Sequence, residues 1–377
     1  MQGGSYEDYR KDEFTASAQN MITNDFFSLN YGDPLTKTAN DKVETWALES
    51  AFGRLNYAFK DKYLLEASYR YDYSSQLAPD NRWQLFPSVS AAWKIDKEDF
   101  MKNITPINSM KLRASWGKLG NIAAIGDYDF IAQLTSGLTT SNNLVFNGAR
   151  TQYLYQATLS SPDIRWETLE QTNFGIDLGF LRNRLTVTAD YYVKYNKNML
   201  ATLNLPSLIG VGVNRTNIGE LKSWGKEIDI KWRDRIGKKI EYSIGFNISD
   251  NQNRLIHYDG KSNVGAGGVV PLLEGYAMNS VWGYKTAGYF QTQAEADAYK
   301  TKVSYPFFAN PAPGDVKYLD LNGDGVISAG KGTPADPGDL VYLGTTNARF
   351  IYGTNLAVSY KGLISAYSFR EQPSVNF

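Results

Sequence analysis

The sequence predicts an all-β chain that forms a segment of an antiparallel transmembrane β-barrel. Three observations predict this fold class. Apolar and polar residues alternate with period two in many segments, the connections between these segments differ sharply in length, and the polar faces carry charged side chains deep within the segments. Such alternation is typical of strands whose two faces meet different environments.

The clearest alternation lies in the stretch "RLTVTADYYVK", residues 184–194. One of its faces is apolar and the other is polar, since Leu185, Val187, Ala189, Tyr191 and Val193 oppose Thr186, Thr188, Asp190, Tyr192 and Lys194. The same pattern occurs in Tyr63–Asp72 and Lys239–Ser249, and less cleanly in Glu49–Phe59, Gln84–Lys94, Met110–Gly117, Thr172–Phe180, Gly225–Arg233 and Ala348–Tyr360. These make roughly ten segments, many about 10 residues long, the length a tilted strand needs to cross a bilayer.

The connections fall into a short class and a long class. Three are tight and charged, namely Phe59–Tyr63, Phe180–Leu185 and Arg233–Ile240, and three are long and polar, namely residues 119–165, 201–218 and 255–343. A barrel with turns at one rim and loops at the other accommodates both classes. Within the longest loop, Thr292–Lys302 is predicted as a short helix, because Thr292 and Glu295 have the spacing of a capping box.

Alternation alone does not separate a membrane barrel from a soluble β-sandwich. Long segments, aromatic residues at one tight turn (Tyr57, Phe59 and Tyr63) and charges within strands (Glu66 and Arg70) favour the barrel. A soluble or surface β-rich binding module with a calcium-stabilised loop remains the alternative. After Leu363 the alternation fades, so no strand is predicted there.

Composition excludes several function classes. Lys+Arg and Asp+Glu both number 39, so the net charge is zero and a general electrostatic role on nucleic acid is not expected, although local patches remain possible. The chain has no cysteine and a single histidine, His257, which excludes cysteine chemistry and multi-histidine metal centres. No enzyme and no catalytic residue is predicted, and no substrate-binding residue can be assigned.

Several stretches, in order along the chain, carry a resemblance to a known family. The most specific is "SPDIRWETLEQTNFGIDLGFLRNRLTVTADYYVKYNKNML", Ser161–Leu200, and the others are Arg54–Trp93 with its "FPSVS", Lys111–Asn121, Asn217–Ile230, Gly275–Thr292, Pro313–Ser328 and Leu343–Leu363. Together they resemble the β-barrel of SusC/RagA-type TonB-dependent outer-membrane transporters.

The resemblance implies a location and partners. It implies the cell outer membrane and its lipid, import of oligosaccharides or peptides, and work with an extracellular SusD-like lipoprotein and the TonB complex. The family barrel has about 22 strands with short periplasmic turns and long extracellular loops. Residues 1–377 are therefore expected to supply about half of such a barrel as a fragment without signal peptide or plug domain, with residues 255–343 as a long extracellular loop.

The stretch "YLDLNGDGVIS", residues 318–328, has the spacing of a calcium-binding loop. Its oxygen-bearing side chains and its glycine match positions 1, 3, 5 and 6 of an EF-type loop, and a backbone carbonyl would serve position 7: Asp320, Asn322, Asp324, Gly325 and Val326. We expect a structural Ca²⁺ that holds the loop. The other interpretation is an Asx-rich turn without an ion.

Position 12 of this motif is Lys331 rather than the usual glutamate, so the site needs another carboxylate. Asp339 is the first candidate, because the resemblance places an aspartate shortly before the following "LG" strand start. Asp315 and Asp336 are alternatives.

Overall fold

The main element of the fold is one eleven-stranded antiparallel sheet in which each strand pairs with the next one along the chain. The computed structural model describes all residues except 24, 26–27, 105, 138–143, 147–148, 152, 204–206, 266, 305, 308 and 372–377. The sheet contains β1 (Gln2–Ser17), β2 (Thr38–Phe59), β3 (Tyr63–Ser74), β4 (Trp83–Lys94), β5 (Ile107–Asn121), β6 (Glu167–Phe180), β7 (Leu185–Ala201), β8 (Thr216–Ile236), β9 (Ile240–Tyr258), β10 (Phe350–Tyr360) and β11 (Leu363–Glu371). The predicted all-β antiparallel fold is confirmed.

Two parts of the sheet were not predicted from alternation. Strand β1 carries charges on both faces, yet it pairs with β2 from Gln2 opposite Gly53 to Ser17 opposite Thr38. Strand β11 pairs with β10 along its whole length, so the expectation that the pattern ends at Leu363 was wrong. Both segments form strands because their backbone groups hydrogen-bond to a neighbouring strand, although their side-chain pattern did not indicate a strand.

The three predicted tight turns are confirmed. They join β2 to β3, β6 to β7 and β8 to β9, and a fourth joins β10 to β11. Residues with positive φ make these reversals, for example Lys60 at 53° and Asp61 at 51° in the first turn and Gly237 at 61° in the third. Left-handed conformations suit the twist of a short hairpin connection.

The long connections lie at the opposite rim and contain structure of their own. The longest spans residues 259–349, because β9 extends to Tyr258 and β10 begins at Phe350. It holds a helix, α1 (Gln293–Lys300), a three-stranded sheet and a strand pair: Val269–Val270, Ser280–Tyr284 and Leu340–Thr345, with Thr286–Tyr289 beside Val316–Tyr318. The helix prediction is confirmed, since the Thr292 side chain accepts a hydrogen bond from the Glu295 amide at 3.2 Å.

The connections between β5 and β6 and between β7 and β8 contain short strands. Leu134–Gly137 pairs with Tyr153–Gln156, Leu144–Phe146 pairs with Ala149–Thr151, and Thr158–Leu159 pairs with Gly212–Val213. Short 3₁₀ turns complete the fold: Leu29–Tyr31, Pro34–Thr36, Pro79–Asn81, Ile95–Lys97, Asp99–Met101 and Ser207–Ile209.

The buried apolar clusters lie at the long-loop rim rather than along the wall. One contains Leu77 and Ile164, a second contains Leu255, and a third contains Trp282 inside the longest loop. The sheet between the rims has no second layer packed against it in the part of the chain that the structure describes. Among the described helices, none is long and apolar enough to cross a bilayer.

Candidate functional site in the barrel wall and the long loop

The wall presents an apolar face and a polar face. The apolar face is exposed, as shown by Leu55 at 68%, Phe174 at 56% and Ile244 at 45%. A soluble protein seldom exposes a continuous apolar surface of this extent, whereas the outside of a transmembrane barrel must do so. We call this face outward and the opposite, polar face inward.

An ion network on the inward face joins β5, β6 and β7. The Arg113 guanidinium donates two hydrogen bonds to Asp177, at 2.9 and 3.0 Å, and a third to Asp190 at 3.1 Å. Lys111 reaches Asp177 at 2.8 Å, and Thr188 donates to the same carboxylate at 3.2 Å. Antiparallel register creates this network, because it places residues more than sixty positions apart on neighbouring strands.

The network depends on a missing side chain. A Cβ atom at Gly175 would lie 2.5 Å from Asp190 Oδ1 and 2.7 Å from the Arg113 guanidinium. Glycine therefore leaves the space through which Arg113 crosses β6 to reach Asp190 on β7. This arrangement makes a polar, charge-balanced inner wall, as expected of a lumen surface.

The predicted calcium loop is held by hydrogen bonds to its own backbone. Asp320 accepts from the amides of Gly323 at 2.7 Å and Gly325 at 2.9 Å. The Asn322 side chain accepts from the Asp324 amide at 3.1 Å, and Asp324 accepts from the Val326 amide at 2.7 Å. These are Asx-type turns, and Gly323 and Gly325 supply the positive φ angles of 75° and 79° that the bends require.

Asp339 is fully buried beneath this loop. Its carboxylate accepts from the amides of Leu321 at 2.7 Å, Asn322 at 3.4 Å and Ser328 at 2.9 Å. The side chain thus ties the beginning of the loop to its end. The resemblance made Asp339 the first candidate for the missing calcium ligand, and the structure places its carboxylate beneath the loop as an acceptor for backbone amides.

The donor set has the oxygen chemistry that calcium prefers, but the loop uses these oxygens as hydrogen-bond acceptors. Among the described residues, no group of three or more histidine, cysteine, aspartate or glutamate side chains is placed so that it could hold a metal ion. Of the alternative ligands, Asp315 accepts from the Ala312 amide at 2.9 Å, and the Asp336 carboxylate lies 3.9 Å from Lys331, the residue at position 12 of the motif. Calcium binding by this loop stays a prediction.

Sequence reasoning missed a cluster at the short-turn rim. Glu98, between β4 and β5, accepts hydrogen bonds from Lys62 at 2.8 Å, Tyr63 at 2.7 Å and the Trp93 indole at 3.0 Å. These three donors, Lys62 first, lower the pKa of the Glu98 carboxyl to about 2. The girdle of aromatic residues was visible in the sequence, but the acidic residue that joins two turns was not.

Comparison with known proteins identifies the class. Residues 2–369 match the family described as TonB dependent receptor-like, beta-barrel. The chain belongs to this family, and it is an outer-membrane β-barrel protein.

Individual relatives of this chain are described as TonB-dependent receptors as well. The TonB-dependent receptor P26 of Formosa agariphila is 31% identical over 359 residues, which is 93% of this chain and 34% of that protein. The TonB-dependent receptor SusC of Bacteroides thetaiotaomicron is 27% identical over 347 residues, covering 85% of this chain and 32% of SusC. The chain spans about a third of the length of these curated relatives.

A solved structure shows the same fold. The RagAB peptide transporter superposes with a TM-score of 0.77 at 24% identity, covering 98% of this chain and 38% of that one. The SusC/RagA-type resemblance inferred from the sequence is confirmed.

Proposed function

We propose that this chain forms part of the wall of a TonB-dependent importer that takes up oligosaccharides or peptides across the outer membrane. The observation that carries the proposal is a single antiparallel sheet, within the family's matched residues 2–369, that is apolar outside and polar inside. The relatives are described as TonB-dependent receptors, and the solved structure is described as a peptide transporter.

The partners of the proposed importer follow from the relatives. TonB dependence is part of the descriptions of P26 and SusC. A SusD-like lipoprotein would cover the long-loop rim, where the connections are large enough to offer a docking surface. This rim is also where a substrate would first meet the protein.

The soluble binding module is not favoured. It would require a second layer to cover the apolar face, yet Phe174, Ile244 and Leu55 lie open on one continuous sheet. An exposed apolar surface of this kind lowers the solubility of a protein in water, whereas contact with lipid removes the surface from water.

Uptake in the natural host tests the proposal. The gene for the full-length protein is deleted, and growth is measured with oligosaccharides or with peptides as the limiting nutrient. We expect the deletion strain to lose growth on one nutrient class, and a plasmid copy to restore it only when TonB is present. Normal growth of the deletion strain on both classes, or recovery of the protein in the soluble fraction, would contradict the proposal.

A further inference from the structure

The outward faces of four strands, β5, β7, β8 and β9, change from apolar to basic toward the long-loop rim. On β8, Trp232, Ile230 and Ile228 are followed by Lys226, Trp224 and Lys222 on the same face. Strands β5, β7 and β9 also carry a cation on this face near the long-loop rim, whereas β6 carries Glu170 there. We define the outward basic patch as Lys118, Lys197, Lys222, Lys226, Arg254 and Arg349.

Strand register brings these residues together although they are far apart in sequence. Lys118 lies opposite Glu170, Glu170 opposite Tyr195, Tyr195 opposite Lys222, and Lys222 opposite Arg254. One rung of the sheet therefore crosses five strands that are about 4.8 Å apart. No irregularity of pairing occurs at these positions, so all five side chains share the outward face.

The patch has more positive than negative charge. Glu170 pairs with Lys197 at 2.8 Å, and Asp250 pairs with Arg349 at 2.6 Å. A third carboxylate, Glu220, lies within electrostatic range of Lys197. Within the described residues, the other four cations of the patch form no ion pair with a carboxylate.

Aromatic rings hold the lysine side chains near the wall. The Lys118 ammonium lies 5.8 Å from the Trp116 ring, and the Lys222 ammonium lies 5.6 Å from Tyr195 and 5.7 Å from Trp224. Cation–π attraction favours these positions without neutralising the charge. Tryptophan and tyrosine rings are typical of the level where acyl chains meet headgroups.

The position of the patch along the wall matches the headgroup level. Strands rise about 3.4 Å per residue and tilt by about 45°, so Lys222 lies roughly 24 Å above Trp232 along the membrane normal. The apolar band of an outer-membrane barrel is about 25 Å tall. The rung that carries Lys118, Lys222 and Arg254 thus lies near the upper end of the apolar band, and Lys226 lies lower, on the same rung as Phe174.

We propose that the outward basic patch binds the phosphate groups of an anionic lipid headgroup in the outer leaflet of the membrane. The unpaired cations supply the charge that phosphates require, and arginine adds a planar set of donors. The aromatic rings and the apolar band beneath fit the remainder of an amphiphile, which a free phosphate ion does not have. The site lies outside the lumen and is independent of the imported substrate.

Lipid binding is measured by native mass spectrometry on the full-length protein in detergent, with diphosphoryl lipid A as the probe. The test variant carries Lys118→Gln, Lys222→Gln and Arg254→Gln. We expect its affinity for the probe to fall on the order of 100-fold, because each cation near an anionic lipid surface contributes severalfold. A matched control with Arg182→Gln, Lys238→Gln and Lys239→Gln, exposed at the opposite rim, should bind as the unsubstituted protein does.

Two further arms identify the source of the phosphate. Lipid A without phosphates should bind the unsubstituted protein much more weakly, and millimolar inorganic phosphate should not displace the diphosphoryl lipid. Heat-dependent migration on gels verifies that each variant is folded. Equal binding of the probe by the folded test variant, equal binding of dephosphorylated lipid, or displacement by inorganic phosphate would each overturn the proposal.

Discussion

Single residues decide how the inner wall packs. Gly175 is flanked by Asp190 and Arg113 at distances that exclude a methyl group, whereas at Gly245, also within a barrel strand, the nearest atoms to the corresponding position are 3.8 Å away. The two glycines therefore differ in function although both interrupt an alternating strand. One makes room for an ion network, and the other does not.

Replacing Gly175 by alanine should destabilise the barrel. The added methyl group would displace Arg113 from Asp190, and overpacking of this kind costs about 1–3 kcal/mol. The midpoint of heat-dependent gel migration of the full-length protein measures the effect. Gly245→Ala is the control and should leave the midpoint nearly unchanged, and equal midpoints for both variants would contradict this account.

In the longest loop, the single residue Asp339 holds the backbone of the predicted calcium loop in place. Asp339→Asn would turn one carboxylate oxygen into a donor facing a backbone amide, and leaving buried amides unsatisfied costs about 1–3 kcal/mol. We expect faster proteolytic cleavage within residues 259–349. The Asp336→Asn variant, changed at a half-exposed position, is the control and should be cleaved at the same rate as the unsubstituted protein. Unchanged cleavage of the Asp339 variant would show that the loop is held by other contacts.

At the scale of elements, the turns and loops carry the features that distinguish the two rims. The Glu98 cluster fastens the connection before β5 to the turn between β2 and β3 through Lys62 and Tyr63. The longest loop forms a small unit around Trp282 with its own helix. Each of these two elements allows a test.

The Glu98 cluster should make the short-turn rim sensitive to acid. Its folded-state pKa of about 2 lies below the ordinary value of 4.5, so its contribution to stability is present above about pH 4.5 and is lost as the pH falls toward 2. Glu98→Gln should remove this dependence. Asp99→Asn, at an exposed position, is the control. Thermal midpoints recorded between pH 2 and 6 provide the measurement, and identical profiles for wild type and Glu98→Gln would refute the assignment.

The calcium prediction can be tested on the same loop. If the motif binds Ca²⁺, millimolar calcium should protect residues 259–349 from proteolysis, and a chelator should reverse this protection. Asp320→Ala should abolish the protection. Separate Asp339→Ala, Asp315→Ala and Asp336→Ala variants show which carboxylate takes the place of the missing position-12 ligand. Cleavage that is independent of calcium would leave the Asx-turn interpretation.

At the scale of the whole molecule, the two edge strands of the open sheet determine how the chain associates with other chains. Strands β1 and β11 are the edges of the eleven-stranded order, and within the described residues they do not pair with each other. Unpaired strand edges present rows of backbone donors and acceptors to other chains. In lipid such groups must be satisfied, because water is absent.

The chain expressed alone in detergent should therefore self-associate. Light scattering after size-exclusion chromatography should give a mass of two or more copies, while the full-length protein should give one copy per particle or its natural complex. The control is the same chain unfolded in urea, which should be monomeric. A monodisperse folded monomer of the chain alone would contradict the expectation.

The sequence predicted the central strands and their turns well because alternation and turn chemistry are local. It did not predict β1, whose charges lie on both faces, or the partners of Arg113 and Glu98. These depend on which strand lies beside which, and no window of residues contains that information. The calcium motif was predicted in part. Its spacing identified Asp320, Asn322 and Asp324 as a group, but it did not determine whether their oxygens bind a cation or accept hydrogen bonds from backbone amides.

By itself the sequence determined the fold class, the two faces of the wall and the family, since period-two alternation and motif order are written along the chain. Only the tertiary structure decided that Gly175 opens a path for Arg113, that Asp339 lies buried beneath the loop, and that cations from four strands, with Arg349 just before β10, form one outward patch. The physical reason is register: hydrogen bonds between neighbouring strands align residues that are far apart in sequence, and a shift of one residue would turn each of them to the other face.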